Sequence, residues 1–339
     1  MIFTSSKNNP IIEPNPKIPW ASMATYNPGL IYEKKNFHLF YRALGQAFVS
    51  KIDHAISKDG VHFKKDLEPD LKIELDIEKN GIEDPRITKI DKTYYLTYTA
   101  YDRKSARLCL ATSCDLIHWH RHGLMLTNWN FTKAGGFTDD CDDAQKTKEA
   151  KTDWSKAGGI FSEKINNKYW MLFGDRNIWL ATSTDGIKWR ATLKPFIKPR
   201  LKYFDNAFVE MGPPPIKTKK GWLILYHGVN QARTYQLGYI LLDLKDPKKI
   251  LHRSNEPIFF PIEADKFPGL VDIVPGGQAA LELMDKNELK KFTNKTKKPK
   301  VIFCNGAVLI KDTLRIYYGI NDTYIGTATA QLKDILDSK

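Results

Sequence analysis

The stretch Ala55-Ile56-Ser57-Lys58-Asp59-Gly60-Val61-His62-Phe63 recurs along this chain and decides its fold. The shared pattern is Ala-x-Ser-x-Asp, then glycine or an apolar residue, with an aromatic residue four positions after the aspartate. It returns at 111–119 and 181–189, and degenerate copies lie at 239–247 and 328–334. Five copies of one pattern indicate a repeat architecture.

Each copy follows a run of aromatic and aliphatic residues with the period of a β-strand. The runs lie at 37–41, 94–98, 169–173, 222–226 and 314–318. Turns rich in Gly, Asn, Asp and Lys bound them and indicate hairpins. We therefore predict an all-β protein, a five-bladed β-propeller with four-stranded antiparallel blades, because radial repetition of small sheets protects strand edges. An irregular β-sandwich is the alternative.

The spacing of the runs predicts one domain over residues 1–339 with two insertions. The runs end at residues 41, 98, 173, 226 and 318, so the two longest separations are 75 and 92 residues. These separations place insertions near 127–153 and 262–300. We expect the ring to close with residues near the N-terminus.

Composition excludes several classes of protein. The 339 residues are 42% hydrophobic, which is too apolar for a disordered chain. No uninterrupted apolar stretch approaches the ~18 residues of a membrane span, and residues 1–10 lack the apolar core of a secretory signal. The four cysteines are too scattered for a disulfide framework or a zinc motif. We expect a cytoplasmic protein without a membrane partner.

The net charge of +13, from 52 Lys and Arg against 39 Asp and Glu, suggests a polyanion at first. The lysines are spread over hairpin turns and one insertion, however, and no recognition helix or RNA-binding motif accompanies them. We expect no nucleic-acid partner. A non-catalytic propeller that binds a polyanion or a protein is kept as the distant alternative.

Polar segments flank each predicted aromatic strand, at the end of the blade that faces the axial mouth. Those before it lie at 26–29, 83–86, 155–159, 210–215 and 304–306, and those after it include Arg42, Asp102, Asp175, His227 and Asp322. Five equivalent places converge on one funnel, which suits a polyhydroxylated ligand between aromatic walls.

Several of these segments resemble glycoside hydrolase family 130 over about residues 8–330. The matching stretches are Gly81-Ile82-Glu83-Asp84-Pro85-Arg86-Ile87-Thr88, Tyr26-Asn27-Pro28-Gly29, Phe208-Val209-Glu210-Met211-Gly212-Pro213-Pro214-Pro215-Ile216, Tyr226-His227-Gly228-Val229 and Tyr317-Tyr318-Gly319-Ile320-Asn321-Asp322-Thr323. The resemblance implies a five-bladed propeller that cleaves β-mannosides with inversion. Most members of the family are phosphorylases that release α-mannose 1-phosphate, and some are hydrolases.

The resemblance assigns Asp84 as the general acid, whose proton reaches the glycosidic oxygen through a sugar hydroxyl. We expect a raised pKa for this carboxyl, because it has to be protonated at neutral pH. The simpler interpretation of Asp84 is a turn residue at the start of a strand, before Pro85.

Further residues are candidates for binding the sugar. The resemblance implies this role for Asn27, Arg42 and Asp322, and their place at the mouth adds Glu83, Arg86, Asp102 and Asp175. A rim salt bridge would also explain Arg42, and a capped turn would also explain Asp322.

The attacking group distinguishes two activities. Phosphorolysis needs cationic residues to bind phosphate. The resemblance implies this role for Lys156 and His227, and Arg176 is a further candidate. The family's second arginine position is occupied here by Gly174. Hydrolysis instead needs a carboxylate base, for which Glu210 is the first candidate and Asp175 the second. A buried structural carboxylate paired with Arg or Lys would also explain Glu210.

We favour phosphorolysis, with inorganic phosphate as co-substrate and a β-mannoside oligosaccharide as partner, and we expect no cofactor and no metal. His118, His120 and His122 lack an acidic partner at ligand spacing and are expected on the surface. One or two of Trp20, Trp129, Trp154 and Trp179 are expected to stack on sugar. Assembly into a homo-oligomer stays open.

Overall fold

The computed structural model describes residues 2–65, 70–103, 105–126, 129, 155–192, 194–260, 262–273 and 299–338. Its strands form five antiparallel sheets arranged as the blades of a propeller, which confirms the predicted fold. A short first strand, β1 (Thr4–Ser5), belongs to the last blade. Most of the predicted insertions at 127–153 and 262–300 lies outside the described residues.

Blades 1 to 3 have their strands in sequence order from the axis outward. Blade 1 comprises β2 (Ala24–Glu33), β3 (Asn36–Leu44), β4 (Lys51–Ser57) and β5 (Lys64–Lys65). Blade 2 comprises β6 (Gly81–Ile90), β7 (Thr93–Tyr101), β8 (Ala106–Ser113) and β9 (His120–Leu124). Blade 3 comprises β10 (Gly159–Ile160), β11 (Tyr169–Phe173), β12 (Trp179–Ser183) and β13 (Arg190–Ala191).

Blades 4 and 5 vary this plan. Blade 4 comprises β14 (Phe208–Met211), β15 (Ile216–Thr218), β16 (Gly221–Val229), β17 (Tyr235–Leu242) and β18 (Ile250–Arg253), with β14 and β15 both paired to β16. Blade 5 comprises β19 (Ile302–Ile310), β20 (Thr313–Ile320), β21 (Tyr324–Gln331) and β1. The N-terminal strand β1 pairs with β21 and closes the ring as its outermost strand.

Short helices join the strands. The described residues contain 3-10 helices at Pro19–Ala21, Asp76–Glu78 and Ile262–Asp265. They also contain the α-helices α1 (Leu270–Ile273) and α2 (Leu332–Asp337). Among the described residues, no helix is long and apolar enough to cross a membrane.

The repeated Ser-x-Asp pattern is the turn between the third and fourth strands of a blade. In blade 1 the Ser57 hydroxyl accepts the Gly60 N–H, while one Asp59 carboxylate oxygen accepts the N–H groups of Val61 and His62. Gly60 has a φ of 75°. The same bonds recur after Ser113 and Ser183. Side-chain satisfaction of turn amides explains why the pattern repeats.

The aromatic runs form the second strand of each blade, and the core lies between neighbouring blades. Phe40 of blade 1 packs with Leu96 of blade 2, and Leu172 of blade 3 packs with Trp222 of blade 4. Full burial of one such side chain contributes about 1.5–3 kcal/mol. The ring is therefore stabilised at every blade interface.

The innermost strands of blades 1 and 2 carry bulges that turn a side chain toward the mouth. The register shifts between Tyr26 and Gly29 in β2 and between Glu83 and Arg86 in β6. Asn27 and Asp84 occupy these bulges with positive φ angles of 48° and 52°. Bulges and left-handed non-glycine residues are concentrated at functional sites. Asp84 therefore lies within β6, and its interpretation as a strand-start turn is wrong.

Gly29 lets these two bulged strands approach each other. A Cβ atom at position 29 would lie 2.5 Å from the backbone oxygen of Pro85, closer than packed atoms tolerate. Because Gly29 has no side chain, β2 and β6 can approach closely enough for Asn27 to hydrogen-bond to Asp84.

Candidate active site

Asp84 is buried at the axial mouth and is held by blade 1. Its Oδ1 accepts a hydrogen bond of 2.8 Å from Asn27 Nδ2 and lies 3.4 Å from Arg42 Nη1. The Arg42 guanidinium also donates to Glu83 Oε1 at 2.6 Å and to Ser50 Oγ at 2.8 Å. We call Asn27, Arg42, Glu83 and Asp84 the blade 1–2 cluster. Its many bonds fix the Asp84 carboxyl in one orientation.

The surroundings of Asp84 favour its charged form. Burial raises the pKa of Asp84, but the positive charges of Arg42 and Lys156 and the hydrogen bond from Asn27 outweigh that effect. The pKa of Asp84 therefore lies below its ordinary value. The expected raised pKa is wrong for the protein without substrate, because the expectation did not include the charges of Arg42 and Lys156.

Arg86 crosses from blade 2 to blade 4 beneath the mouth. Its Nε donates to the carbonyl of Gly212 at 2.7 Å, its Nη2 to that of Met211 at 2.8 Å, and its Nη1 to that of Asp84 at 3.1 Å. All three nitrogens therefore serve backbone oxygens, and the side chain is 1% exposed. These contacts suit a residue that positions the Asp84 bulge, and its predicted contact with sugar stays a prediction.

A second group of side chains comes from blades 3 and 4. Lys156 Nζ lies 3.4 Å from Glu210 Oε1 and 3.8 Å from Asp175 Oδ2. Glu210 pairs in register with His227 across β14 and β16. We call Lys156, Asp175, Glu210 and His227 the blade 3–4 cluster. It brings together candidates for phosphate binding, for sugar binding and for the base of a hydrolase.

The two carboxylates and the lysine of the blade 3–4 cluster shift one another's ionisation. Burial raises the pKa of Glu210 to about 7, since the opposing charge of Lys156 offsets only part of the desolvation. Burial alone would lower the pKa of Lys156, but Glu210, Asp175 and Asp84 raise it above its ordinary value. Lys156 is thus a cation, and Glu210 titrates close to neutral pH.

His227 is a neutral donor at the same place. Its Nε2 accepts the backbone N–H of Cys304 at 2.8 Å, so the ring proton is on Nδ1. Burial, followed by the charges of Arg86 and Lys156, holds the pKa of His227 well below its usual range. Nδ1 is buried and has no hydrogen-bond partner among the described residues. A buried donor without a partner indicates a place for a ligand acceptor.

Gly174 has a structural reason to replace arginine. Its φ is +113°, and a Cβ atom there would lie 2.5 Å from the carbonyl oxygen of Asn177. Its backbone also links the cluster, because its N–H donates to the carbonyl of Lys156 and its oxygen accepts from Met211. A side chain at 174 would disturb the backbone that positions Lys156 and Glu210.

The backbone of Arg176 lies beside the blade 3–4 cluster. Its carbonyl accepts the N–H of Val209, the residue before Glu210, and its φ is +63°. Its guanidinium makes no hydrogen bond or ion pair that involves the described parts of the chain. Phosphate binding by Arg176 therefore stays a prediction.

Asp322 lies in the left-handed turn between β20 and β21, where its φ is 52°. Burial raises the pKa of Asp322 to about 6, and the charges of Arg42 and Asp84 also act on it. The charge of Lys156 acts on it as well, so Asp322 lies within electrostatic range of both clusters. The preceding Asn321 holds the turn through hydrogen bonds of 2.7 Å and 3.0 Å to the carbonyls of Ala264 and Phe267.

Asp102 has a local partner. Its Oδ1 accepts the N–H of Ser105 at 2.7 Å, which caps the turn between β7 and β8. The role of Asp102 in this turn is thus observed, whereas its binding of sugar stays a prediction.

Tyr235 is a mouth residue that the sequence patterns did not reveal. It begins β17, and its ring packs edge-on against Phe208 and near Phe303, which itself stacks on His227. Burial, followed by the charge of Glu210, raises the pKa of Tyr235, so its phenol stays protonated. The available signal was its position as the first residue of a strand that faces the mouth.

The remaining candidates are histidines and tryptophans. His118 is exposed and bonds to Asp115, and the described residues contain no group of three or more metal-ligating side chains. Trp179 and Trp129 pack edge-on beside Phe173, which precedes Gly174. Trp154 lies outside the described residues.

Comparison with known proteins supports one family. Residues 6–278 match the family model Glyco_hydro_130, described as β-1,4-mannooligosaccharide phosphorylase. Two proteins of Thermoanaerobacter sp. (strain X514) are each 34% identical to this chain. One is a 1,2-β-oligomannan phosphorylase, which covers 97% of both chains, and the other is a β-1,2-mannobiose phosphorylase, which covers 98% of both.

A solved structure supports the fold. The β-1,2-mannobiose phosphorylase from Listeria innocua, in complex with β-1,2-mannobiose, superposes with a TM-score of 0.75. It covers 100% of this chain and 99% of its own, at 24% identity. The family match, the two relatives and the shared propeller agree with the motifs around Asp84. The chain belongs to glycoside hydrolase family 130.

Proposed function

We propose that this protein cleaves β-1,2-linked mannosides by inverting phosphorolysis and releases α-mannose 1-phosphate. Both relatives described above are named as phosphorylases of β-1,2-linked substrates. The family model is described by a β-1,4 activity, so the linkage rests on those two relatives. Membership of this family also favours an enzyme over a non-catalytic propeller.

One observation carries the proposal, namely the pairing of unlike clusters at one mouth. The blade 1–2 cluster fixes a carboxyl, Asp84, which is the expected acid. The blade 3–4 cluster offers a buried cation, Lys156, and a buried neutral donor, His227 Nδ1–H. A cation beside a donor suits a phosphate ion, because charge-assisted hydrogen bonds to anions are strong.

In the proposed reaction, phosphate bound at the blade 3–4 cluster attacks the mannosyl unit, and Asp84 of the blade 1–2 cluster supplies the proton to the leaving group. A phosphate oxygen attacks the anomeric carbon from the face opposite the glycosidic oxygen, and the carbon–oxygen bond to the leaving sugar breaks. The proton of Asp84 passes through a sugar hydroxyl to the leaving oxygen. Attack from the opposite face converts the β-linkage into an α-phosphate. Arg42, Glu83 and Asp322 are proposed to bind the hydroxyl groups of the mannosyl unit.

Asp84 has to gain a proton before it acts. A bound sugar would exclude water from its carboxyl, and a bound phosphate would offset the charge of Lys156. Both changes raise the pKa of a carboxyl. Binding of the two substrates thus prepares the acid.

Hydrolysis is the second candidate, because the pKa of Glu210 is about 7, which suits a general base at neutral pH. An inverting hydrolase places its two carboxyl groups ~6.5–9.5 Å apart, with a water between the base and the sugar. In that role Glu210 would have to be ionised and free to accept a proton from water. Its contact with Lys156 opposes that role, since a lysine ion pair reduces its basicity.

The test is incubation with β-1,2-mannobiose and, separately, β-1,4-mannobiose, with and without inorganic phosphate. We expect mannose 1-phosphate from the β-1,2 substrate only when phosphate is present. Free mannose released at the same rate without phosphate would favour hydrolysis. A higher rate on the β-1,4 substrate would overturn the linkage alone.

A further inference from the structure

Glu210 lies beside the place proposed for phosphate. It is directly opposite His227 in the β14–β16 pair, and directly opposite residues of an antiparallel pair project from the same face of a sheet. Its Oε1 is also 3.4 Å from Lys156 Nζ. An anion held between Lys156 and His227 Nδ1–H must therefore approach the Glu210 carboxyl. This inference rests on the proposed function.

The groups around Glu210 leave little positive charge for a second anion. Asp175 shares the charge of Lys156, and Asp84 faces Glu210 from β6. The guanidinium of Arg86 is engaged with three carbonyls, His227 is neutral, and Tyr235 keeps its proton. An ionised Glu210 and a phosphate ion side by side would therefore repel each other in a buried place.

We propose that Glu210 takes up one proton when an anion binds beside Lys156 and His227, and that the protonated carboxyl donates a hydrogen bond to that anion. The proton comes from solvent and stays on a carboxylate oxygen of Glu210. No covalent bond changes in this step. Uptake removes the repulsion and supplies a third donor to the anion.

This protonation state is the opposite of the one that hydrolysis requires. A base must be ionised, whereas a donor to phosphate must be protonated. The same carboxyl therefore gives opposite pH dependences in the two activities. Because Glu210 titrates near pH 7, the difference falls in an accessible range.

Sulfate is the probe for this proton, because it carries the charge of a phosphate dianion and does not titrate near neutral pH. Calorimetric titration of the full-length protein in two buffers of different ionisation enthalpy gives the number of protons taken up. We expect about one proton per sulfate at about pH 8 and little uptake at about pH 6, where Glu210 is already protonated. Sulfate affinity should fall about tenfold over that interval.

Two variants identify the group that is protonated. Glu210→Gln keeps a donor and cannot titrate, so uptake at pH 8 should disappear and affinity should become independent of pH. Asp175→Asn removes the other carboxylate on Lys156, and uptake should persist. Uptake that survives in Glu210→Gln, or is absent in the wild type at pH 8, would overturn the inference.

Failure of the inference and failure of the proposed function are distinguishable. If neither sulfate nor inorganic phosphate binds, the anion-coupled protonation is overturned. Mannose 1-phosphate formed in the product assay would still support phosphorolysis. If sulfate binds with proton uptake but no mannose 1-phosphate forms, the inference holds and the proposed reaction does not.

Discussion

The two halves of the mouth are built differently. In the blade 1–2 cluster, the amide of Asn27 donates to Asp84 at 2.8 Å, and the guanidinium of Arg42 donates to the adjacent Glu83 at 2.6 Å and lies 3.4 Å from Asp84. In the blade 3–4 cluster, Lys156 stands 3.4 Å and 3.8 Å from its two carboxylates, and His227 Nδ1 has no partner among the residues that the structure describes. The side-chain donors of Asn27 and Arg42 already have acceptors in the first half, whereas the second half offers the Nδ1–H of His227 without one among the described residues.

This difference separates positioning from binding. A carboxyl that transfers a proton benefits from a fixed orientation, because proton transfer depends on geometry. A phosphate ion that binds and dissociates is served by a cation and by a hydrogen-bond donor that has no other acceptor. The phosphate oxygens then supply the missing acceptor. We infer that the blade 1–2 cluster is preorganised for the acid and that the blade 3–4 cluster is completed by a ligand.

The largest expected effect comes from Asp84→Asn, which keeps the hydrogen-bonding shape and removes the transferable proton. We expect kcat to fall about 10²–10⁴-fold, the usual contribution of a general acid. Steady-state kinetics with β-1,2-mannobiose and phosphate measures this. Glu83→Gln is the matched control in the neighbouring position and should lose less. Full activity of Asp84→Asn would refute the assigned acid.

The next effect comes from Lys156→Met, which removes the cation of the blade 3–4 cluster at nearly constant volume. We expect KM for phosphate to rise about 10–100-fold, as for loss of one hydrogen bond to a charged group. KM for mannobiose should change much less. A rise confined to KM for mannobiose would show that Lys156 binds sugar instead, and the comparison between the two halves would then fail.

Arg86→Lys tests the side chain that links blade 2 to the carbonyls of Met211 and Gly212 in blade 4. Lysine cannot reach all three carbonyls, so we expect unfolding free energy to fall by about 1–3 kcal/mol through unsatisfied buried oxygens. Urea denaturation measures this. Arg176→Lys is the control, since its guanidinium makes no hydrogen bond or ion pair with the described residues, and it should stay within about 0.5 kcal/mol. Equal stability of both variants would contradict the structural role of Arg86.

The smallest effect is expected for Asn27→Ala, which removes a hydrogen bond that lowers the pKa of Asp84. Loss of that bond raises the pKa of Asp84, so the protonated acid persists to higher pH. The alkaline limb of kcat, which reports the substrate-bound enzyme, should therefore move upward by less than about one pH unit. A shift toward lower pH would contradict the role of Asn27.

Local patterns in the sequence predicted the fold well, because each blade repeats its own turn and its own aromatic strand. Ser57 and Asp59 satisfy amides only two or three residues away, so their pattern is visible without tertiary structure. Ring closure by β1 was expected only in outline. The pairing of Thr4 with Thr329 joins opposite ends of the chain, which no local pattern reports.

The site was less predictable because its properties arise between blades. The family motif identified Asp84. The pKa of Asp84, however, depends on Arg42 in blade 1 and on Lys156, which precedes the first strand of blade 3. The bulge that carries Asp84 is likewise fixed by the approach of Gly29 to Pro85. Tyr235 escaped notice because a lone tyrosine at the start of a strand has no distinctive neighbour pattern.

The reverse reaction tests phosphorolysis most directly, because a simple hydrolase has no route to it. The protein should convert α-mannose 1-phosphate and mannose into β-1,2-mannobiose, with one phosphate released for each disaccharide formed. The β-anomer of mannose 1-phosphate should not react, since the cleavage inverts. Disaccharide synthesis from the α-anomer alone is the predicted result. Absence of synthesis, together with phosphate-independent release of mannose from β-1,2-mannobiose, would contradict the account.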